Sequence, residues 1–357
     1  LPSDKQINEL RANERGLTRP ELAVLLSYAK LALYRDIKNS SLLDSDYFTS
    51  DLVRYFPEPM QKTYVQDIKQ HRLNREIIAT TITNSIINRA GITFMHSIAQ
   101  DTGMHPCDIA RAYCITRDAF ELRSIWADIE SLDGVLPAQV QADLFIDITH
   151  FLERMSLWFL HNCPQPLDLT DIMESYAPGI ARFREHMDKL MSKTLRKAFE
   201  RTVSNYRAKN VPDNLAKSIA ALEALTSACD VVRVANENNL DVEIVGQVYF
   251  ELGARLRLGW LRRAANRVVL DSYLDRLAAK SIISNLYEQQ RRLTSKVILS
   301  LCEEKNCNFS VDKWYEQNQA MLDRYHRFIG ELKSHDTVDF SMLVLAMRQV
   351  ESISALD

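Results

Sequence analysis

The stretch that decides the fold contains no proline: residues 71–91 read HRLNREIIATTITNSIINRAG. Its only glycine is Gly91, the last residue, so the stretch predicts a central helix over residues 72–90 that ends in a glycine C-cap. Its isoleucines distribute apolar surface around much of that helix, which predicts an interior position. These isoleucines are Ile77, Ile78, Ile82, Ile86 and Ile87.

A stripe of neutral polar side chains runs between the isoleucines, where a solvent-facing helix would carry lysine and glutamate. It consists of Asn74, Thr81, Asn84 and Asn88. A buried amide or hydroxyl without a partner costs on the order of 1–3 kcal/mol, so these groups are expected to be paired. Two interpretations stay open: a polar seam that fixes the register of neighbouring helices, or a surface that receives another domain.

A second helix is predicted on the N-terminal side, where residues 16–30 read GLTRPELAVLLSYAK. Thr18 and Glu21 have the spacing of a capping box, and Pro20 fits the first turn because its missing N–H would be unpaired there. The apolar residues form two stripes, so we expect this helix to be packed on more than one side. One stripe holds Leu22, Leu25, Leu26, Ala29 and Leu33, and the other holds Val24, Tyr28 and Leu31.

Composition and pattern predict helix in the rest of the chain. The 357 residues include 9 glycines and 10 prolines, fewer turn residues than a β-rich protein needs. The expected fold class is therefore all-α, an irregular multi-helix assembly in two helical subdomains. Because two prolines within residues 162–166 cannot lie in a helix interior, the expected domains are residues 1–163, with the central helix, and 164–357. Helices are expected over residues 107–132, 137–162, 169–176, 180–206 and 241–270.

Charge and cysteine content restrict the partners and the compartment. The chain has 44 basic and 47 acidic residues and a net charge of −3, so we predict neither nucleic acid nor a membrane as a partner. Six scattered cysteines are typical of free thiols in a reducing compartment, which predicts a cytoplasmic location. The first residues, Leu-Pro-Ser-Asp, lack an initiator methionine, so we expect a piece of a longer protein.

Tests for catalytic and metal-binding motifs are negative. No two glycines stand two residues apart, which excludes the Gly-x-Gly-x-x-Gly loop that lets a backbone approach a pyrophosphate. His105, Cys107 and Cys114 could supply zinc ligands, as could Cys302 and Cys307, but no close Cys-x-x-Cys pair supports either group. Small buried thiols are the preferred interpretation, and we predict no metal, no catalytic residue and no cofactor-binding residue in this chain.

Two charged clusters have competing interpretations. The acidic one, Asp44, Asp46 and Asp51, is read as a solvated loop with helix N-caps. The basic one surrounds Trp260 and could bind nucleic acid, with the indole available for stacking, although arginine also serves at protein interfaces. Its members are Arg255, Arg257, Arg262, Arg263 and Arg267.

Several stretches resemble the C-terminal region of the large NAD-specific glutamate dehydrogenases of bacteria. They are residues 16–30 with LTRPELAVLL, the central residues 71–91, residues 109–133 with RAY and WADIESLD, residues 253–262, and residues 289–294 with QQRRLT. The resemblance implies a parent enzyme that converts glutamate, NAD⁺ and water to 2-oxoglutarate, NADH and ammonium. It also implies that the catalytic residues and NAD belong to a core that precedes this stretch, since no position here matches a catalytic one.

Two hypotheses for the chain itself follow. In the first, it is a non-catalytic structural or regulatory domain that docks on the upstream dehydrogenase core of a homo-oligomeric enzyme. In the second, it is a module that binds a small effector in a helical pocket lined by Arg72, Arg75 and the asparagine stripe, since guanidinium groups suit carboxylates and phosphates. The candidate docking or effector residues are Thr18, Arg19, Glu21, Tyr28, Arg72, Asn74, Arg75, Glu76, Asn84 and Asn88.

Overall fold

The computed structural model describes residues 4–13, 15–268, 273–303, 311–335 and 337–355. Within these ranges every regular element is a helix and no β-strand occurs, so the predicted all-α fold class is confirmed. None of the helices found there is long and apolar enough to cross a bilayer.

The helices are named in chain order. The first ten are α1 (Asp4–Ala12), α2 (Arg19–Lys38), α3 (Thr49–Tyr55), α4 (Glu58–Thr63), α5 (Val65–Lys69), α6 (Asn74–Ala90), α7 (Phe94–Thr102), α8 (Pro106–Ala119), α9 (Leu122–Glu130) and α10 (Ala138–Asn162). The next ten are α11 (Leu169–Leu190), α12 (Lys193–Ala208), α13 (Asp213–Leu225), α14 (Ala228–Asn238), α15 (Val242–Arg255), α16 (Leu258–Ala265), α17 (Tyr273–Glu303), α18 (Val311–Gln317), α19 (Gln319–Ser334) and α20 (Phe340–Ser354). Two short 3₁₀ turns, Ser41–Asp44 and Asp46–Phe48, connect α2 to α3.

Contacts group the chain into two compact units. Unit 1 comprises Leu1–Ala127 and Gln141–Met173, and unit 2 comprises Asp128–Val140 and Glu174–Asp357. The division after residue 163 that the two prolines suggest remains a prediction.

Helix α6 lies in the core of unit 1, where it packs against α2, α3 and α8. Ile78, Ile82, Ile86 and Ile87 are buried, which confirms the interior position predicted for this helix. Gly91 ends it with φ +89°, a backbone conformation that side-chain-bearing residues rarely adopt.

The polar stripe of α6 differs from the expectation. Asn84 and Asn88 are exposed, while Asn74 and Thr81 are half-buried. The buried hydroxyl of this helix is that of Thr83, which the stripe did not include. The neutral side chains therefore lie at the edge of the core, where water can also hydrogen-bond them.

Helix α2 is packed along its C-terminal half only. Leu33 and Ile37 are buried, whereas the residues before them in the first three turns are exposed or half-buried. We expected α2 to be packed on more than one side. Among the described residues, no part of the chain buries its N-terminal half, so the expectation is wrong there. Apolar periodicity shows that a face is available for burial, but it does not show what covers it.

Several helix boundaries also differ from the sequence prediction. Glu121 and Arg257 have positive φ angles and separate helices that the pattern had joined, α8 from α9 and α15 from α16. Pro178 lies inside α11, where two helices were expected. The next residue, Gly179, lets α11 lie close to α14, because an added Cβ would lie 2.7 Å from Val232 Cγ1. Residues 269 and 270, the end of one predicted helix, lie outside the described residues.

Helix α17 has the corresponding central position in unit 2, in contact with α14, α15, α16 and α20. Its buried Gln290 donates to the carbonyl oxygen of Tyr249 at 2.8 Å and accepts from Arg262 Nη1 at 2.9 Å. Gly253 leaves the space that the Gln290 amide fills. The glutamine thus joins α15, α16 and α17 with paired polar groups.

Candidate functional site

Residues 22–31 of α2 carry a set of exposed apolar side chains, called here the α2 surface. It consists of Leu22, Val24, Leu25, Leu26, Tyr28 and Leu31. Tyr28 is 61% exposed, Leu31 50% and Leu22 49%. Single exposed apolar residues are common on proteins, but six within ten residues of one helix, on its two apolar stripes, are a concentration of the kind that marks an interaction site.

The start of this helix is well defined even though it is exposed. The Glu21 carboxylate accepts hydrogen bonds from the backbone N–H and the hydroxyl of Thr18, both at 2.7 Å, which confirms the predicted pairing of these two residues. The same two bonds lower the pKa of Glu21. Arg19 is the first residue of the helix and is exposed. The α2 surface is therefore presented on a capped helix.

Polar contacts connect α2 to α6. Lys30 Nζ donates to the Oδ1 atoms of Asn84 and Asn88, both at 3.2 Å. At the last residue of α2, directly after the buried Ile37, Lys38 Nζ lies 3.0 Å from Glu76 Oε1. Half of the asparagine stripe thus acts as a seam between two helices, as the first of the two interpretations proposed. The structure brings the predicted residues of α2 and α6 onto neighbouring helices.

The other predicted residues at the start of α6 either bind neighbouring residues of the chain or are exposed. The Arg75 guanidinium binds the Asp44 carboxylate and donates to the carbonyl oxygens of Lys38 and Ser40 at 3.2 and 3.0 Å. Asn74 Nδ2 donates to the carbonyl oxygen of Lys69 at 3.3 Å, and Arg72 is exposed. Because the donors of Arg75 already have partners, the proposed effector pocket around Arg72 and Arg75 gains no support from this geometry.

A buried ion cluster in unit 1 was not found by sequence reasoning. Arg117 is 0% exposed and donates to Asp51 Oδ2 at 3.0 Å and to Asp118 Oδ2 at 2.7 Å. Arg123 donates to the same two carboxylates at 2.6 and 2.9 Å, and Tyr47 donates to Asp118 at 2.7 Å. Asp51 therefore belongs to a buried network that joins α3, α8 and α9, and its reading as a solvated loop residue is wrong.

The electrostatics of this cluster favour the ionised forms. Burial by itself would raise the pKa of Asp118, but hydrogen bonds and charge interactions with Arg117 and Arg123 hold it at about 2. Burial raises the pKa of Tyr47, and the neighbouring Asp118 charge adds to that shift. The paired guanidinium and carboxylate groups of this cluster join α3, α8 and α9, so they hold these helices together.

The proposed zinc ligands are also structural groups. His105 Nδ1 accepts from the backbone N–H of Cys107 at 3.3 Å, as a helix cap, and the Cys107 thiol donates to the Asp36 carbonyl oxygen at 3.3 Å. Burial raises the pKa of the Cys107 thiol and raises that of Cys114 to about 12. These thiols stay protonated at neutral pH, whereas zinc requires thiolates. Cys307 and the side chain of Cys302 lie outside the described residues.

A cavity in the described part of unit 2 has a volume of about 670 Å³. Its wall includes Asn285, Gln289, Arg291, Lys296 and Glu351. Asn285 Nδ2 donates to Glu351 Oε1 at 3.0 Å, and Arg291 Nε lies 3.6 Å from Asp230 Oδ1. These charged groups have partners within the protein, so the cavity offers no evident surplus of charge to an ionic ligand.

Two arginines of the basic cluster around Trp260 have partners within the protein. Arg255 binds Glu251 and Asp312, and its guanidinium lies 5.0 Å from the Tyr315 ring centre. Arg262 binds Gln290 and lies 4.0 Å from the Tyr287 ring centre. Both are therefore part of the packing between helices and are unsuited to binding nucleic acid.

Comparison with known proteins gives a consistent family. The sequence profile described as "Glutamate dehydrogenase, C-terminal" matches residues 14–352. Proteins named NAD-specific glutamate dehydrogenase from Halomonas elongata and Pseudomonas aeruginosa are each 29% identical to this chain over 354 residues, and one from Mycobacterium tuberculosis is 27% identical. These matches cover 99% of this chain but 22% of each relative, so the chain spans about a fifth of their length. Since the profile extends over nearly all of its 357 residues, the chain belongs to the glutamate dehydrogenase C-terminal family.

Proposed function

We propose that this chain is the non-catalytic C-terminal helical domain of an NAD-dependent glutamate dehydrogenase and that it docks on the upstream catalytic core through the α2 surface. The complete enzyme would be a cytoplasmic homo-oligomer that oxidatively deaminates glutamate to 2-oxoglutarate, with NAD bound in the core. The names of the relatives and their much greater length support this assignment.

The exposed half of α2 is the observation that carries the docking proposal. A lone helix is marginal in water, and most helical stability in proteins comes from the packing of an apolar face. Here Leu33 and Ile37 near the C-terminal end of α2 are buried, and the six apolar side chains of residues 22–31 are exposed. Covering a half-exposed leucine contributes about 1 kcal/mol, so covering several of them can hold two folded bodies together.

Hydrogen exchange tests the docking proposal. We expect the amides of residues 19–31 to exchange more slowly in the complete polypeptide than in the 357-residue chain alone, because a docked helix opens less often. Helix α20 is a suitable internal reference, since Leu345 on it is 52% exposed, close to the value for Leu31. Equal protection of α2 in the two proteins would count against docking at this surface.

Enzyme assays test the division of labour. We expect the 357-residue chain alone to form no NADH from glutamate and NAD⁺, and the complete polypeptide to form it. The chain lacks the glycine-rich loop needed to bind a dinucleotide pyrophosphate. Glutamate oxidation by the chain alone would overturn the assignment of catalysis to the core.

A further inference from the structure

Two arginines of the basic cluster and one lysine of α19 lie beside the first turn of α16. Arg257 immediately precedes this helix, Arg263 lies in its last turn, and Lys333 comes from the last turn of α19. Lys333 Nζ is 5.0 Å from the centre of the Trp260 ring. Arg263 Nη1 is 3.5 Å from the position that a Cβ on Gly259 would occupy, so the guanidinium lies along the first turn of α16.

These three residues differ from Arg255 beside them in forming no ion pair with a carboxylate. Among the described residues, no carboxylate forms an ion pair with Arg257, Arg263 or Lys333, whereas Arg255 binds two. Arg257 and Lys333 are exposed and Arg263 is half-buried, so an incoming ion can reach them. A local excess of three positive charges thus occurs on a chain whose net charge is −3.

The effect of this crowding is visible in the ionisation of Lys333. Partial burial lowers the pKa of its ammonium group, and the nearby charges of Arg257 and Arg263 lower it further. Arg257 also contributes to the lowered pKa of His326. Neighbouring positive charges repel one another, and an anion bound between them relieves this repulsion.

The backbone adds donors to the same place. Arg257 has φ +54° and makes no side-chain cap for α16, so the first N–H groups of the helix lack a side-chain acceptor. The N-terminus of a helix attracts negative charge through these groups and through the helix dipole. It reinforces the three cations but would not define a site without them.

We propose that Arg257, Arg263 and Lys333, at the first turn of α16, form a binding site for the phosphate group of a small ligand. Phosphate is favoured over a single carboxylate because it carries up to two charges and three acceptor oxygens, which matches two guanidinium groups and one ammonium group. Lys333 Nζ lies over the Trp260 ring in a cation–π contact, so the indole face that it covers is not open to a stacked base and the recognised group is the phosphate itself.

Calorimetric titration of the protein with inorganic phosphate, pyrophosphate and citrate tests the site. We expect saturable binding of pyrophosphate, weaker binding of inorganic phosphate and the weakest binding of citrate. Arg263→Gln and Lys333→Gln should each reduce pyrophosphate affinity by about tenfold, because each removes one charge-assisted contact. A phosphate ester such as glycerol phosphate, compared with free phosphate, distinguishes an esterified ligand from the free ion.

Arg324→Gln is the matched control, since it removes one exposed charge from the opposite side of α19, nine residues before Lys333. We expect this variant to bind pyrophosphate as the parent protein does. Thermal unfolding of each variant verifies that the fold is kept. Absence of pyrophosphate binding at millimolar concentration would overturn the proposal, and so would equal loss of affinity in all three variants, which would indicate attraction by net charge alone.

Discussion

At the scale of the residue, Arg117 is the fully buried charge at the centre of the ion cluster in unit 1. It lies between the Asp51 and Asp118 carboxylates with no exposure to water, and its Nη1 atom has no hydrogen-bond partner among the described residues. Two of its nitrogen atoms thus bind carboxylates on α3 and α8, and Arg123 of α9 binds the same two carboxylates. A buried charge of this kind is stable only while its partners remain, so the cluster acts as a unit.

Replacement of Arg117 should therefore destabilise the fold strongly. We expect Arg117→Met to lower the free energy of unfolding by about 3 kcal/mol, because it leaves two buried carboxylates with fewer counter-charges. Arg54→Met is the control: Arg54 also binds Asp51, but it is half exposed, so its loss should cost less than about 1 kcal/mol. Chemical denaturation measures both values. Equal effects of the two substitutions would show that burial does not govern the strength of this cluster.

Asp118 gives the same cluster a dependence on pH. Its pKa of about 2 in the folded chain lies below the ordinary value of 3.8, so the ionised form stabilises the fold. This contribution is fully present above about pH 4 and is lost as the pH falls toward 2. We expect the parent protein to lose about 2 kcal/mol more stability than Asp118→Asn between these limits. Denaturant titrations across that range measure the difference, and parallel curves for the two proteins would refute it.

At the scale of the element, Gly91 determines how α6 ends. Its φ of +89° is accompanied by a ψ of 165°, a combination that is open to glycine and strained for other residues. An added Cβ would meet no atom within 4 Å, so only the backbone conformation resists a substitution.

Gly91→Ala should therefore destabilise the chain by about 1–3 kcal/mol. Gly16→Ala is the matched control, because Gly16 also has open space around its Cβ position and its φ is not positive. We expect that substitution to be neutral or slightly stabilising, since alanine restricts the unfolded chain. Thermal unfolding of the two variants provides the comparison, and an unfolding temperature for Gly91→Ala equal to that of the parent would rule out the strain.

The accuracy of the sequence analysis for these elements has a physical explanation. Pro20 marks the start of α2 and Gly91 marks the end of α6. Both are strong local signals, so these two boundaries follow from local chemistry. The breaks at Glu121 and Arg257 carry no such signal, because ordinary side chains take a positive φ there. Only the packing of the flanking helices fixes those two residues, and packing is not visible in a single sequence.

The same reasoning applies to the candidate site. The apolar residues of α2 could be recognised from sequence because their periodicity is local. The bond from Lys30 to Asn84 and the pairing of Asp51 with Arg117 join residues 54 and 66 positions apart, and no pattern within one helix predicts them. The three cations at α16 illustrate both cases: two are close in sequence, and Lys333 comes from another helix.

At the scale of the whole molecule, the central question is what covers the α2 surface. Six apolar side chains in contact with water promote association of the 357-residue chain with itself, whereas contact with a catalytic core would remove them from water. The same residues should thus have opposite effects in the two settings. This reversal distinguishes a docking surface from a helix that merely tolerates apolar residues.

The double substitution Leu22→Glu with Leu26→Glu, two residues of one stripe, tests this reversal. In the 357-residue chain we expect it to reduce concentration-dependent association, measured by light scattering, with little change in the free energy of unfolding. In the complete polypeptide we expect it to destabilise the docked arrangement by about 2 kcal/mol and to increase hydrogen exchange in α2, because two charges would be buried against the core. Leu345→Glu, at a site of matched exposure on α20, should leave both proteins unchanged. If the double variant behaves like Leu345→Glu in the complete polypeptide, the α2 surface faces water there and another part of the chain must contact the core.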